Sequence, residues 1–209
     1  MPMIIPGVAY YDCGDQAYEA ETTYYLDFQI KSALFSLHKL EDHKTIDDSS
    51  FGTIAQYYHY YTDHLLFSLG QISERFRIAS NVPDNEKEYY ERRKTNRLNY
   101  QFDEKNFPLL INKNFRNTVE HIDEHNIDVI NNCKAVGGFN YIDESTPQEL
   151  ANKLLMKRQN HIYTVDLSGM KLYITRKGNE LTLDLKQLKN ELNQLMNNVK
   201  DFSHYIKTI

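Results

Sequence analysis

The sequence predicts a mainly α-helical protein: a helical bundle, then a small antiparallel β-meander, then one final helix. Three observations predict it. Apolar residues recur at helical spacing through most of the first 130 positions. The period drops to two between Tyr163 and Leu183. A helical stripe returns from Leu185 to Ile206.

The elements follow in order. Leu26, Ile30, Ala33, Leu37 and Leu40 step by four and three, which predicts a first helix over about residues 17–41. Asp47, Ser49 and Ser50 offer N-caps for a second helix. Its stripe runs through Ile54, Tyr58, Tyr61, Leu65, Leu69, Ile72 and Phe76 to about Ala79, where Asn81-Val82-Pro83-Asp84 breaks it. A more polar third helix is expected from about Asn85 to Tyr100, ended by the Asp103–Phe107 break and Pro108. A fourth continues to about Asn126, and Gly137-Gly138 closes that region. Thr146-Pro147-Gln148-Glu149 reads as a cap with proline in the first turn of a short helix. Tyr163, Val165 and Leu167 then alternate, as do Leu172 and Ile174, and Leu181 and Leu183. Turns at Ser168-Gly169 and Gly178-Asn179 make these a three-stranded meander. Leu185, Leu188, Leu192, Leu195, Val199, Phe202 and Ile206 form the last amphipathic stripe, with Asp184 and Gln187 suited to a capping box.

A chain of 209 residues suffices for one domain with a sizeable core. No linker or repeat divides it, so a single domain over 1–209 is expected, with the bundle at 15–135 and the meander and last helix at 160–209. Hydrophobic content of 41% with 25% charged residues belongs to a soluble globular class. A net charge of -5 argues against indiscriminate gripping of nucleic acid, while leaving room for a local basic site. Cys13 and Cys133 are too few and too distant for a metal knuckle or a disulfide framework, which suits a reducing cytoplasm. The apolar opening Met1–Gly7 is short, broken by proline and lacks a basic start. No apolar run reaches membrane-spanning length. A cytoplasmic protein is therefore expected.

Arg92, Arg93, Lys94 and Arg97 form the one dense basic run, flanked by Glu86, Glu88 and Glu91. Two readings fit it: a solvated helix face with i,i+4 ion pairs, or a patch that steers an RNA phosphate toward a nearby site.

The most informative run is Asn114-Phe115-Arg116-Asn117-Thr118-Val119-Glu120-His121. Phe115, Val119 and Ile122 mark the buried side of a helix. Arg116 and His121 then lie about 140° apart around its axis and about 7.5 Å apart along it. One helix does not easily focus both on one phosphate. Two copies crossing about a two-fold axis bring one chain's arginine toward the other's histidine, which is the physical reason to expect a homodimer with a composite cleft.

Arg116-Asn117 followed by His121 resembles the Arg–polar–x–x–x–His signature of the HEPN superfamily of helical-bundle proteins, over about residues 15–130. The resemblance implies pairing through the motif helices. It also implies, for many members, a metal-independent endoribonuclease of the kind found in bacterial toxin or phage-defence systems, with a neutralising protein as a further partner. Other members are not catalytic. On that resemblance no cofactor is needed. His121 would move the proton of a ribose 2′-hydroxyl or of the leaving oxygen. Arg116 would hold the phosphate and offset its developing charge. Asn117 would orient neighbouring groups or donate to a phosphoryl oxygen. The product would carry a 2′,3′-cyclic phosphate, and DNA would be inert. Some members carry a modified tyrosine two positions after the histidine; here Asp123 stands there. The alternative is a non-catalytic helical protein that binds a partner or ligand, with Arg116 and Glu120 as a surface pair and His121 bonding a carbonyl.

Other constellations compete. His121-Ile122-Asp123-Glu124-His125 matches the H-x-x-E-H zinc pattern, but that pattern belongs to a larger fold and needs a third carboxylate from elsewhere. His59 and His64 sit among tyrosines and are expected to be satisfied by hydroxyls. His38 and His43 suit the C-terminal dipole of the first helix. No P-loop or dinucleotide fingerprint appears.

Overall fold

The computed structural model describes residues 4–5, 8–9, 15–42, 53–78, 82–112, 139–157, 163–176 and 179–208. Within them a short antiparallel pair, β1 (Ile4–Ile5) and β2 (Val8–Ala9), precedes helix α1 (Asp15–Glu41) and helix α2 (Ile54–Glu74). A 3-10 turn (Asp84–Glu86) leads into α3 (Lys87–Asn99). After residue 138 come β3 (Phe139–Ile142), α4 (Gln148–Met156), β4 (Tyr163–Asp166), β5 (Lys171–Arg176), β6 (Asn179–Asp184) and α5 (Leu185–Thr208).

The stripe predicted for α1 is its core face, because burying those side chains is what stabilises the helix. Leu26, Ile30, Ala33 and Leu37 are fully buried, and Leu40 nearly so. Tyr58, Leu65, Leu69 and Ile72 of α2 meet them. The two helices run antiparallel: Tyr25 donates to Gln71 at one end (2.7 Å), Ser36 bonds His64 midway (3.0 Å), and Tyr57 donates to the Lys39 carbonyl at the other (3.1 Å). Thr53 supplies the N-cap of α2, its hydroxyl accepting from the Gln56 N–H. The candidate caps Asp47, Ser49 and Ser50 lie outside the described residues.

Helix α2 stops at Glu74, short of the expected Ala79, yet Phe76 stays buried. Its ring stacks on Phe102 (3.9 Å between centroids, 7° between planes), and Phe102 stacks on Phe107 (5.0 Å). That aromatic cluster holds the end of α2 against the segment after α3. Arg97 Nε donates to the Phe76 carbonyl at 2.7 Å and closes the same corner. A helical stripe reports which positions are buried and not where the backbone leaves the helix, which is why the stripe overran.

The predicted meander is present as β4, β5 and β6, with Val165 opposite Leu172 and Leu172 opposite Leu183. The sheet nevertheless has four strands, in the order β3-β4-β5-β6, and β3 pairs parallel to β4 with Phe139 opposite Tyr163. The wholly antiparallel expectation is corrected to a mixed sheet. A parallel partner needs a crossover, and α4 lies within it. Helix α4 itself starts one residue later than expected: Pro147 is its N-cap, and the Thr146 hydroxyl bonds Asp143 instead. In the β4–β5 turn the positive φ falls on Met170 (50°), while Gly169 fits closely against the Asp166 carboxylate that accepts its N–H (2.8 Å).

One sheet face carries Val165, Leu172, Ile174 and Leu183 into the same core as α1, α2 and α5. Helix α5 begins as the sequence predicted, with the Gln187 N–H donating to Asp184 Oδ1 at 2.9 Å. The reciprocal half of the capping box is absent, since the Gln187 amide turns to Glu191 (3.0 Å). Glu191 is 4% exposed and accepts from the backbone N–H groups of Leu109 (3.1 Å) and Leu110 (3.0 Å). That carboxylate pins the chain to α5 just before residue 113. Among the described residues no helix is long and apolar enough to cross a membrane.

Glu191→Ala leaves those N–H groups without their acceptor and is expected to cost about 2 kcal/mol, with Glu191→Gln losing less. Urea unfolding of the three proteins checks this; equal stability would mean that the carboxylate is dispensable.

Candidate functional site

The sequence motif Arg116, Asn117 and His121 lies outside the described residues, as do Glu120, Glu124, His125, His43, Cys13 and Cys133. The structure fixes where the motif segment departs and returns. It departs after the turn at Leu109–Ile111, held by Glu191, and returns at β3, the outermost of the described strands.

The basic run is placed on α3. Arg92 pairs with Glu88 one turn away (2.7 Å), and Lys94 pairs with Glu91 (2.6 Å). Arg93 is 1% exposed; its guanidinium reaches Glu74 of α2 and lies over the Tyr90 ring. Arg97 spends its Nε on the Phe76 carbonyl. The surface pairs are the ion-paired helix face that the charge pattern allowed. The burial of Arg93 depends on a glutamate nineteen positions away, which local charge pattern does not reveal. The desolvated member of the pair is the arginine, since the Glu74 side chain is 39% exposed. Removing Glu74 therefore leaves a buried guanidinium without its counter-charge, whereas removing Arg93 leaves a carboxylate that water can reach.

A second cluster of titratable groups sits where α2 meets the sheet. His59 and Asp63 are one helical turn apart and half-exposed, with Nε2 and Oδ2 3.3 Å apart. The nearly buried Tyr163 of β4 donates its hydroxyl to Asp63 Oδ1 and lies 3.3 Å from His59 Nε2. The imidazole stacks on Phe139 of β3 (5.1 Å, 23°). Burial, then the Asp63 hydrogen bond and charge, hold the Tyr163 phenol neutral far above the usual tyrosine range. Burial likewise raises Tyr58, with Asp143 adding to it. The hydroxyl partners expected for His59 and His64 are thus Tyr163 and Ser36. The His59/Asp63 spacing was visible in the sequence; the strand tyrosine that completes the group was not. Geometrically this is a junction that ties helix to sheet, with an imidazole at its rim. Among the described residues no group of three or more His, Cys, Asp or Glu side chains is arranged to hold a metal ion.

Comparison with known protein families, with curated proteins and with solved structures returns no match.

A phenol whose pKa rises on folding stabilises the native state fully below the unfolded value, near pH 10, and loses that contribution as pH climbs toward the folded value. Wild-type stability is therefore expected to fall above pH 10. Tyr163→Phe should cost about 1 kcal/mol at neutral pH and show a shallower alkaline decline, by up to about 1.4 kcal/mol per pH unit. Denaturant melts from pH 8 to 11.5 check this; parallel declines would remove the Tyr163 assignment.

Proposed function

We propose that this protein is a HEPN-like, metal-independent endoribonuclease that acts as a homodimer. The observation that carries the reading is the Arg116-Asn117-x-x-x-His121 spacing in a chain whose described body is mainly helical. The chemistry is transesterification at RNA. His121 accepts the 2′-hydroxyl proton as the 2′-oxygen attacks phosphorus, and the P–O5′ bond breaks as the 5′-oxygen takes up a proton from solvent. A 2′,3′-cyclic phosphate remains on the upstream fragment. Arg116 of the other subunit stabilises the charge gathering on the phosphoryl oxygens, and Asn117 orients the reacting groups. Leu109 and Leu110, tethered to α5 by Glu191, give the motif segment a fixed starting point, which a composite site needs.

A second reading, a non-catalytic helical protein that binds a partner, is favoured by one observation. Arg92, Arg93 and Lys94 each pair with a glutamate of the same chain, and Arg97 with a backbone carbonyl, so the basic run is engaged internally.

Purified protein is expected to cleave total RNA in excess chelator and leave 2′,3′-cyclic ends, with DNA untouched. Arg116→Ala and His121→Ala should each slow cleavage by about 100-fold or more at unchanged stability. Intact RNA with every protein, or equal cleavage by wild type and both variants, decides for the non-catalytic reading.

A further inference from the structure

The exposed rings of the α1/α2 pair define a surface that the core does not use. Leu26, Ile30, Ala33 and Leu37 point inward, whereas Tyr24 (49% exposed), Phe28 (56%) and Phe35 (51%) occupy the opposite side of α1. Tyr60 (50%) and Phe67 (60%) lie on the flank of α2 that borders it. Around Phe35 the two helices meet directly: Phe35 contacts Tyr61 edge-on (6.0 Å), Tyr60 stacks on His64 (5.9 Å), and His64 bonds Ser36 of α1. Five half-exposed rings, each of about 150–250 Å², leave roughly 500 Å² of aromatic surface in one strip. That falls in the range of the largest apolar patch on a monomer, which is often functional, and is more than half of the roughly 800 Å² per partner of a stable interface.

Charge along the strip indicates what covers it. Glu21 and Lys39 are partly exposed and eighteen positions apart, about five full turns, so both lie on the outward side of α1 at opposite ends of the ring row. Lys39 reaches back over Phe35, its ammonium 5.6 Å from the ring centroid. An antiparallel copy of α1 sets each Glu21 opposite the other copy's Lys39, twice in one contact, with the symmetry axis level with Ile30. The Tyr25–Gln71 and Ser36–His64 pairs place Phe67 of α2 near that level, where each Phe67 meets its own copy.

We infer that the Tyr24–Phe28–Phe35 face of α1, with Tyr60 and Phe67 of α2, is a self-association surface on which a second copy of this chain packs antiparallel about a two-fold axis. Glu21 and Lys39 set the register. This contact goes beyond the pairing that the nuclease reading requires. It uses no residue of segment 113–138, so RNA cleavage and this association can fail separately.

Sedimentation equilibrium of the full chain tests it. The expected result is concentration-dependent self-association that Phe28→Glu and Phe67→Glu each weaken at least tenfold; both rings are exposed, so circular dichroism should be unchanged. Glu21→Lys and Lys39→Glu should each weaken association, and the double exchange should restore it to within a few-fold of wild type. A strictly monomeric wild type overturns the inference. So does association that both phenylalanine variants leave unchanged, or a double exchange no better than the single ones.

Discussion

The fold depends on one packing constraint: the apolar stripes of α1 and α2 exclude water only when the two helices lie antiparallel with the inner face of the sheet against them. Leu26, Ile30 and Leu37 on one side, Leu65, Leu69 and Ile72 on the other, and Val165, Ile174 and Leu183 from the strands share a single core. Each fully buried aliphatic side chain contributes about 1.5–3 kcal/mol, so no hydrogen bond at the rim rivals this layer. The polar contacts act instead as locators. Tyr25–Gln71, Ser36–His64 and Tyr57–Lys39 fix how far one helix slides along the other. The Tyr163–Asp63 bond fixes where the sheet meets α2.

That locating role extends to the described residues that flank segment 113–138. Glu191 spends a buried carboxylate on two backbone N–H groups immediately before residue 113, and β3 receives the chain again at 139 as the outermost described strand, beside β4. A catalytic arginine and histidine tolerate little displacement, since a shift of about 1 Å can cost on the order of 100-fold in rate. Leu109–Leu110 and β3, the described residues on either side of segment 113–138, are both held to core elements.

Much of the architecture was legible because it is periodic. The stripes of α1, α2 and α5, the Asp184 cap and the alternation in β4 to β6 all follow from local spacing, whereas the N-cap of α2 is Thr53 and not one of the expected Asp47, Ser49 or Ser50. The rest of what escaped is non-local. Strand β3 is four residues long and defined by pairing with Tyr163–Asp166 across α4, although Phe139-Asn140-Tyr141-Ile142 after two glycines is a strand-like string. The early end of α2 follows from Phe76 joining the Phe102 and Phe107 rings. Arg93 looked like its neighbours until Glu74 came to it from another helix. The proposed catalytic residues were legible as a motif alone, and tertiary geometry adds to them only the tethers on either side.

The proposed site stands or falls on its two-subunit construction, which one complementation measurement addresses. Arg116→Ala and His121→Ala chains, co-expressed with different tags so that they assort at random, form mixed dimers in which one of the two composite sites keeps both its arginine and its histidine. The account predicts that this population recovers roughly a quarter of the wild-type RNA cleavage rate, although each variant alone is inactive. A mixed population as inactive as either variant would contradict it.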